Sequence, residues 1–192
     1  MTDRDQILPE RLAGPAGLLL RRWSLADAHQ LSAAVAESQE HLRPWMAWAA
    51  EEPLTIEQRR ELIIGFERDW RDGGDAVLGI FLDGRVIGGC GLHRRIARDG
   101  LELGYWIHPR FTRRGLATAA ARLLTDGAVA LSGVTHVEIH HDKANVASAG
   151  VPRKLGFSLL AEVPDEIEAP GEIGIECRWR IDRQQWLSDE SR

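Results

Sequence analysis

The stretch from residue 101 to residue 140 constrains the fold most, because a strand-like run, an alanine-rich helix and a second strand-like run follow one another there. Residues 115–131 read as the strongest helix of the chain: Leu116, Ala120, Leu123, Leu124, Gly127 and Leu131 form one stripe, and alanine is the best helix former. The run before it, residues 101–108, is ended by Pro109, and residues 134–140 form the strand after it. Such an order implies a right-handed crossover and one parallel strand pair. The run at 101–108 is also the third member of a meander. Residues 77–82 and 85–93 form a hairpin through Asp83 and Gly84, a type I′ signature, and Asp99 with Gly100 supplies the next turn. The predicted class is α/β: a mixed, largely antiparallel twisted sheet with a central parallel pair, flanked by helices.

The remaining segments fit around this frame. Residues 18–22 read as a strand, and Ser24 with Asp27 makes a capping-box start for a helix carrying Leu25, Ala28, Leu31 and Val35 on one face. Residues 41–48 interrupt it, with Pro44 inside, before Thr55 and Gln58 open a second helix that stops at Gly73 and Gly74. After the crossover come a short helix at 145–155 and a closing pair of strands at 157–163 and 173–181. With 192 residues and no linker-like tract, one domain over 1–192 is expected, its core about residues 18–182.

Composition narrows the function. A formal charge of −5 argues against a dedicated nucleic-acid binder, whose phosphate-neutralising face makes such domains basic. The same charge gives cationic partners mild steering. Cys90 and Cys177 fit neither a disulfide framework nor a zinc ribbon, and no apolar run approaches membrane-spanning length. The N-terminal residues lack the basic and apolar regions of a signal peptide. A cytoplasmic protein without membrane partners is expected.

The segment Arg113, Arg114, Gly115, Leu116, Ala117 and Thr118 joins a strand end to the start of the long helix. Free backbone N–H groups and the positive end of the helix dipole converge at such a junction, which suits an anion such as a pyrophosphate. Neither a P-loop nor a dinucleotide-binding glycine fingerprint is present. A second segment, Asn145, Ser148, Val151, Lys154, Leu155, Gly156 and Phe157, follows the next strand.

Together with Glu102, Leu103, Gly104, Tyr105, Trp106 and Ile107, these segments resemble the GNAT superfamily of acyl-CoA-dependent N-acyltransferases, and within it the RimJ/RimL type. The likeness extends from the strand near Leu18 to that near Ile181. The chain departs from the pattern at Thr112, Arg113 and Pro152, which puts in question the backbone of the phosphate loop and the length of the short helix. The resemblance implies acetyl-CoA as acyl donor, held by Tyr105, Trp106, Ile107, residues 113–118, Asn145 and Lys154. The oxyanion donors would be backbone N–H groups of residues 105–107. It implies Glu102 as general base, directly or through a water, with burial raising its pKa toward neutrality, and Ser148 as the proton donor to the leaving thiolate; an edge-strand Glu in a surface ion pair is an equal reading of Glu102. Asn145 is also an ordinary N-cap for its helix.

On the acceptor side the resemblance points to Arg43, Trp45 and Met46, with Glu51 and Glu52 attracting a cationic acceptor; Trp48 reads more as core packing. If the acyl group were acidic, Arg94, Arg95 or Arg98 would be the candidates to receive it. No metal site is expected: His140 and His141 are adjacent on a strand and point to opposite faces. His93 and His108 read as structural or surface residues, and Cys90 as a small buried filler. The expected activity is N-acetyl transfer to a primary amine by direct attack in a ternary complex, with a protein N-terminal α-amine as first choice. The alternatives are a small-molecule amine such as a polyamine, amino acid or antibiotic, or a non-catalytic acyl-CoA-binding module. The resemblance also makes a homodimer possible.

Overall fold

Alternation along the strands divides one eight-stranded sheet into two faces of different chemistry. The computed structural model describes residues 8–189. In chain order the elements are β1 (Arg11–Ala13), β2 (Leu18–Arg22), α1 (Ala28–Ala36), α2 (Gln39–Leu42), α3 (Ile56–Arg71), β3 (Ala76–Leu82), β4 (Arg85–Ala97) and β5 (Gly100–Ile107). They continue as α4 (Leu116–Ala130), β6 (His136–Asp142), α5 (Val146–Lys154), β7 (Ser158–Pro164), β8 (Ile175–Asp182) and α6 (Arg183–Asp189). The strand order is β1-β2-β3-β4-β5-β6-β8-β7.

Every neighbouring pair is antiparallel except β5 with β6. That parallel pair is short: Gly100 faces His136, Leu101 faces Val137, Glu102 faces Glu138, and the register stops there. From Leu103 onward the two strands diverge. The mixed sheet with one central parallel pair is therefore as the crossover demanded.

One face packs on α4 and holds the main core. Leu20, Leu78, Ile80, Leu92, Leu103 and Ile139 are all but sealed from solvent against Ala120, Ala121, Leu124 and Ala128 of the helix. Alanine at these helix positions lets α4 approach the sheet closely while keeping strong helix propensity. The opposite face is covered over β2 to β4 by α1 and α3, where Trp23, Leu31, Val35, Ile63, Phe81 and Val86 form a second, smaller core.

Local signals behave as their chemistry requires. Asp83 (φ 48°) and Gly84 (φ 79°) both adopt the left-handed region that a type I′ hairpin needs. The capping box of Ser24 and Asp27 is present, though it closes a single 3₁₀ turn before α1. Asp27 is pinned further by two 2.8 Å bonds from Arg21, whose guanidinium lies 3.8 Å from the centre of the Phe81 ring.

Three features differ from the sequence expectation. β4 runs four residues past residue 93, with an irregularity between His93 and Ala97, so Arg95 lies inside the strand. β1 is too short to show a period. α6 lies beyond the expected core limit at 182 and is held by Trp186, which is buried, donates to Asp126 at 2.8 Å and meets Phe157 edge-on.

Candidate active site

The end of β5 passes through a turn at Pro109–Phe111 into the loop before α4. Gly115 is the N-cap of α4 with φ 75°, and Arg113 takes φ 58°. A non-glycine residue in that region costs about 1–2 kcal/mol, so Arg113 holds by strain the conformation that glycine would adopt freely. A Cβ built on Gly115 would meet no atom within 4 Å, which leaves an open cradle in front of the first N–H groups of α4, those of Leu116, Ala117 and Thr118. Arg113 and Arg114 are exposed beside it, and Arg114 stacks over Phe111. This cradle fits the pyrophosphate of a CoA thioester.

Between the cradle and the end of the parallel register lies the gap where β5 and β6 part. The Trp106 carbonyl is directed at β4, against Gly88, and His108 N–H donates to Ile87 at 2.8 Å. Because successive strand residues alternate sides, the N–H groups of Tyr105 and Ile107 face the gap and that of Trp106 does not. Trp106, expected with the cofactor set, instead contributes its indole to a groove on the sheet face.

α5 borders the same gap. Asn145 caps it, its Oδ1 accepting from Ser148 N–H at 3.1 Å, while Lys154 is exposed at its far end. The helix continues through Pro152 for nine residues rather than breaking. Pro152 has no N–H, so the bond that would end on the Ser148 carbonyl is missing. Tyr105 supplies the substitute: its hydroxyl donates to Ser148 O at 3.1 Å and lies 3.2 Å from Ser148 Oγ. Burial pushes the Tyr105 phenol up to about 12, so it stays protonated near neutrality. The sequence reading used only the backbone of Tyr105; the structure brings its hydroxyl onto Ser148.

Glu102 sits in an ion pair, the alternative to a free base. Burial pushes its carboxyl up, but Arg95 donates to both oxygens, at 2.8 and 2.5 Å, and the net result is a pKa held below the usual range. The anticipated rise toward neutrality is therefore reversed. Glu102 is also not among the groove-lining side chains. Two of the three Arg95 nitrogens are thereby engaged by Glu102.

The groove, a cavity of about 440 Å³, crosses the sheet face between the second core and this ion pair. Its floor lacks side chains at Gly89, Gly91 and Gly104, which sit opposite one another or opposite Trp106 across β4 and β5. A Cβ on Gly89 would come within 2.6 Å of the Trp106 indole nitrogen. Trp48, 39% exposed, lies 6.4 Å from Trp106, ring to ring, so it forms the groove wall and not the core. Met46 lines the groove as expected; Trp45 and Arg43 do not. Glu51 lines it too, whereas the Glu52 carboxylate is occupied by buried Arg59 at 2.5 Å and by Leu54 N–H.

One pair was missed. His93 lines the groove, its Nδ1 2.7 Å from Asp75 Oδ2. Its Nε2 lies 3.0 Å from where a Cβ on Gly91 would sit and 3.5 Å from one on Gly104. Burial pushes the Asp75 carboxyl up, but the bond from His93 and one from Arg94 N–H bring it below the usual range. The alternation of Gly89, Gly91 and His93 along one strand face was the available signal.

The other polar candidates have structural partners. His108 is buried, accepts from Arg110 N–H and meets Glu37 at 3.2 Å. His140 and His141 face opposite ways: the first contacts Glu138 and Glu176, the second accepts from the Trp179 indole. Burial pushes the Cys90 thiol far up, away from nucleophilic character.

The Acetyltransferase (GNAT) domain family matches residues 17–158. The chain is 32% identical over 176 residues to the putative ribosomal N-acetyltransferase YdaF of Bacillus subtilis, covering 90% of this chain and 95% of that one. Spermidine N(1)-acetyltransferase of Escherichia coli is 31% identical over 98 residues, about half of each chain. Among solved structures, RimL, a ribosomal alpha-N-protein acetyltransferase bound to coenzyme A, superposes with a TM-score of 0.83 at 17% identity, covering 90% of this chain and 98% of that one. The chain belongs to the GNAT acetyltransferase family, and its fold is of the RimJ/RimL type. Among the described residues, no helix is long and apolar enough to cross a membrane.

Proposed function

We propose that the protein transfers the acetyl group of acetyl-CoA to a primary amine, by direct attack while both substrates are bound, and that the acceptor is a protein N-terminal α-amine. The observation that carries this is the meeting of two surfaces at Tyr105. The gap with its helix cradle lies on one side of β5, and the glycine-floored groove lies on its face. A thioester in the gap exposes its carbonyl to an amine arriving along the groove.

Acetyl-CoA supplies the activated acyl carbon. The Leu116 to Thr118 N–H groups with Arg113 and Arg114 take the pyrophosphate, and the Asn145 side-chain amide takes the pantetheine amides. The Tyr105 and Ile107 N–H groups stabilise developing oxyanion charge. Ser148 Oγ, in contact with the protonated Tyr105 hydroxyl, returns a proton to the departing sulfur. Met46, Trp48 and Trp106 exclude water from the acceptor chain, and an open groove of this size admits an extended peptide terminus. YdaF, the curated relative that spans nearly the whole chain, supports the choice of acceptor.

A small polyamine is the second reading, favoured by Glu51 in the groove and by the partial match to spermidine acetyltransferase. Calorimetry with acetyl-CoA, followed by thiol release with unblocked peptides and with spermidine, tests both. Transfer to peptides above spermidine is expected, and Gly115→Asp should abolish acetyl-CoA binding. Binding without transfer to any amine would instead indicate a non-catalytic acyl-CoA module.

A further inference from the structure

We propose that His93 is the general base of the acetyl transfer and that Asp75 is its positioning residue. The inference rests on the acetyltransferase reading above and names the group that makes its acceptor reactive. An amine reaches the acyl carbon as an ammonium ion or acquires positive charge as it attacks, so a neutral acceptor for its proton must stand along its path. Three carboxylates near the groove are poor choices. Glu102 is held by both guanidinium bonds of Arg95, Glu52 is buried on Arg59, and Glu51 sits at an open edge.

His93 has the required geometry. Asp75 engages Nδ1 at 2.7 Å, which fixes the ring and leaves Nε2 as the lone-pair nitrogen of the neutral tautomer. That nitrogen overhangs Gly91 and Gly104, where the missing Cβ atoms open the path to Tyr105 and the gap. The groups facing the imidazole are Asp75 before β3, Glu102 opposite it on β5, and Arg95 on its own strand. Across the groove stand Glu51 and the Glu52–Arg59 pair. Carboxylates outnumber guanidiniums among these groups, and the one direct bond to the ring comes from a carboxylate.

The amine nitrogen bonds to the acetyl carbon and its proton passes to His93 Nε2. The carbon–sulfur bond breaks with its electron pair on sulfur, which takes a proton from Ser148 Oγ. Solvent then removes the proton from His93 and restores that of Ser148.

The test is a pH profile of kcat/KM for an unblocked alanyl peptide and for spermidine, with acetyl-CoA calorimetry on every variant as the check of folding and donor binding. In the wild type the rate should rise with pH through one ionisation. His93→Gln should lower it about a hundredfold at pH 7 and remove that limb, leaving acetyl-CoA affinity unchanged. Added imidazole should restore part of the activity of His93→Ala. Asp75→Asn should move the limb to lower pH and cost about tenfold. An unchanged profile in His93→Gln, or no rescue of His93→Ala beside normal donor binding, overturns the inference alone. A wild type that transfers acetyl to neither amine overturns the acetyltransferase reading and this inference with it.

Discussion

The sheet face opposite α4 is two surfaces joined along β4 and β5. Over β2 to β4 it is apolar and covered: Val77, Phe81, Val86 and Trp23 lie under α1 and α3. Over β5, β6 and β8 the same face carries Glu102, Glu138, His140, Glu176 and Arg178, linked to one another and to Arg95 by ion pairs and hydrogen bonds. The first half is stabilised by burial, which does not depend on pH; the second by charge pairing, which does. The groove runs along their border. An acceptor there meets aromatic walls on one side and ionisable groups on the other, a combination neither half offers alone.

The two halves of the face part most visibly under truncation. Phe81→Ala should cost about 3–5 kcal/mol, equally at pH 5 and pH 7, by urea unfolding. On the polar half, Arg95→Met removes both guanidinium hydrogen bonds to buried Glu102 and should cost about 1–3 kcal/mol at neutral pH. The pairing with Arg95 lowers the folded-state pKa of Glu102. Its contribution is therefore present above the ordinary carboxylate range and fades as pH falls through the lowered value, so the gap between wild type and Arg95→Met should close on acidification. At the border, Gly89→Ala displaces the Trp106 indole and should weaken acceptor kcat/KM about tenfold while sparing acetyl-CoA binding. The smallest effect belongs to the cradle: Arg113→Gly relieves a left-handed arginine and should raise stability by about 0.5–1 kcal/mol, read as a shift in unfolding midpoint.

The cradle side of the site was legible because its signals are local. Gly115 before an alanine-rich helix and Asn145 three residues before Ser148 declare their geometry within one turn of chain. The acceptor side was not, because it depends on register. Gly89 reaches Trp106, Gly91 reaches Gly104 and His93 reaches Glu102 only through the alignment of β4 with β5, set by the turn between Ala97 and Gly100. A strand ending near residue 93 leaves Arg95 outside it and so conceals the Arg95–Glu102 pair. Trp48 misled for a related reason: an aromatic run between helices has no period that separates a core side from an open one.

The proline in α5 links two positions that no local pattern connects. Elsewhere in a helix a proline leaves a carbonyl for water to satisfy; here the Tyr105 hydroxyl satisfies it. Positions 105 and 152 are therefore coupled through the Ser148 carbonyl. Tyr105→Phe strands the Ser148 carbonyl only while Pro152 is present, and Pro152→Ala makes the tyrosine dispensable for the helix without making it dispensable for Ser148. Among variants of this chain, tolerance at either position should be conditional on the residue at the other, although 47 residues separate them in sequence.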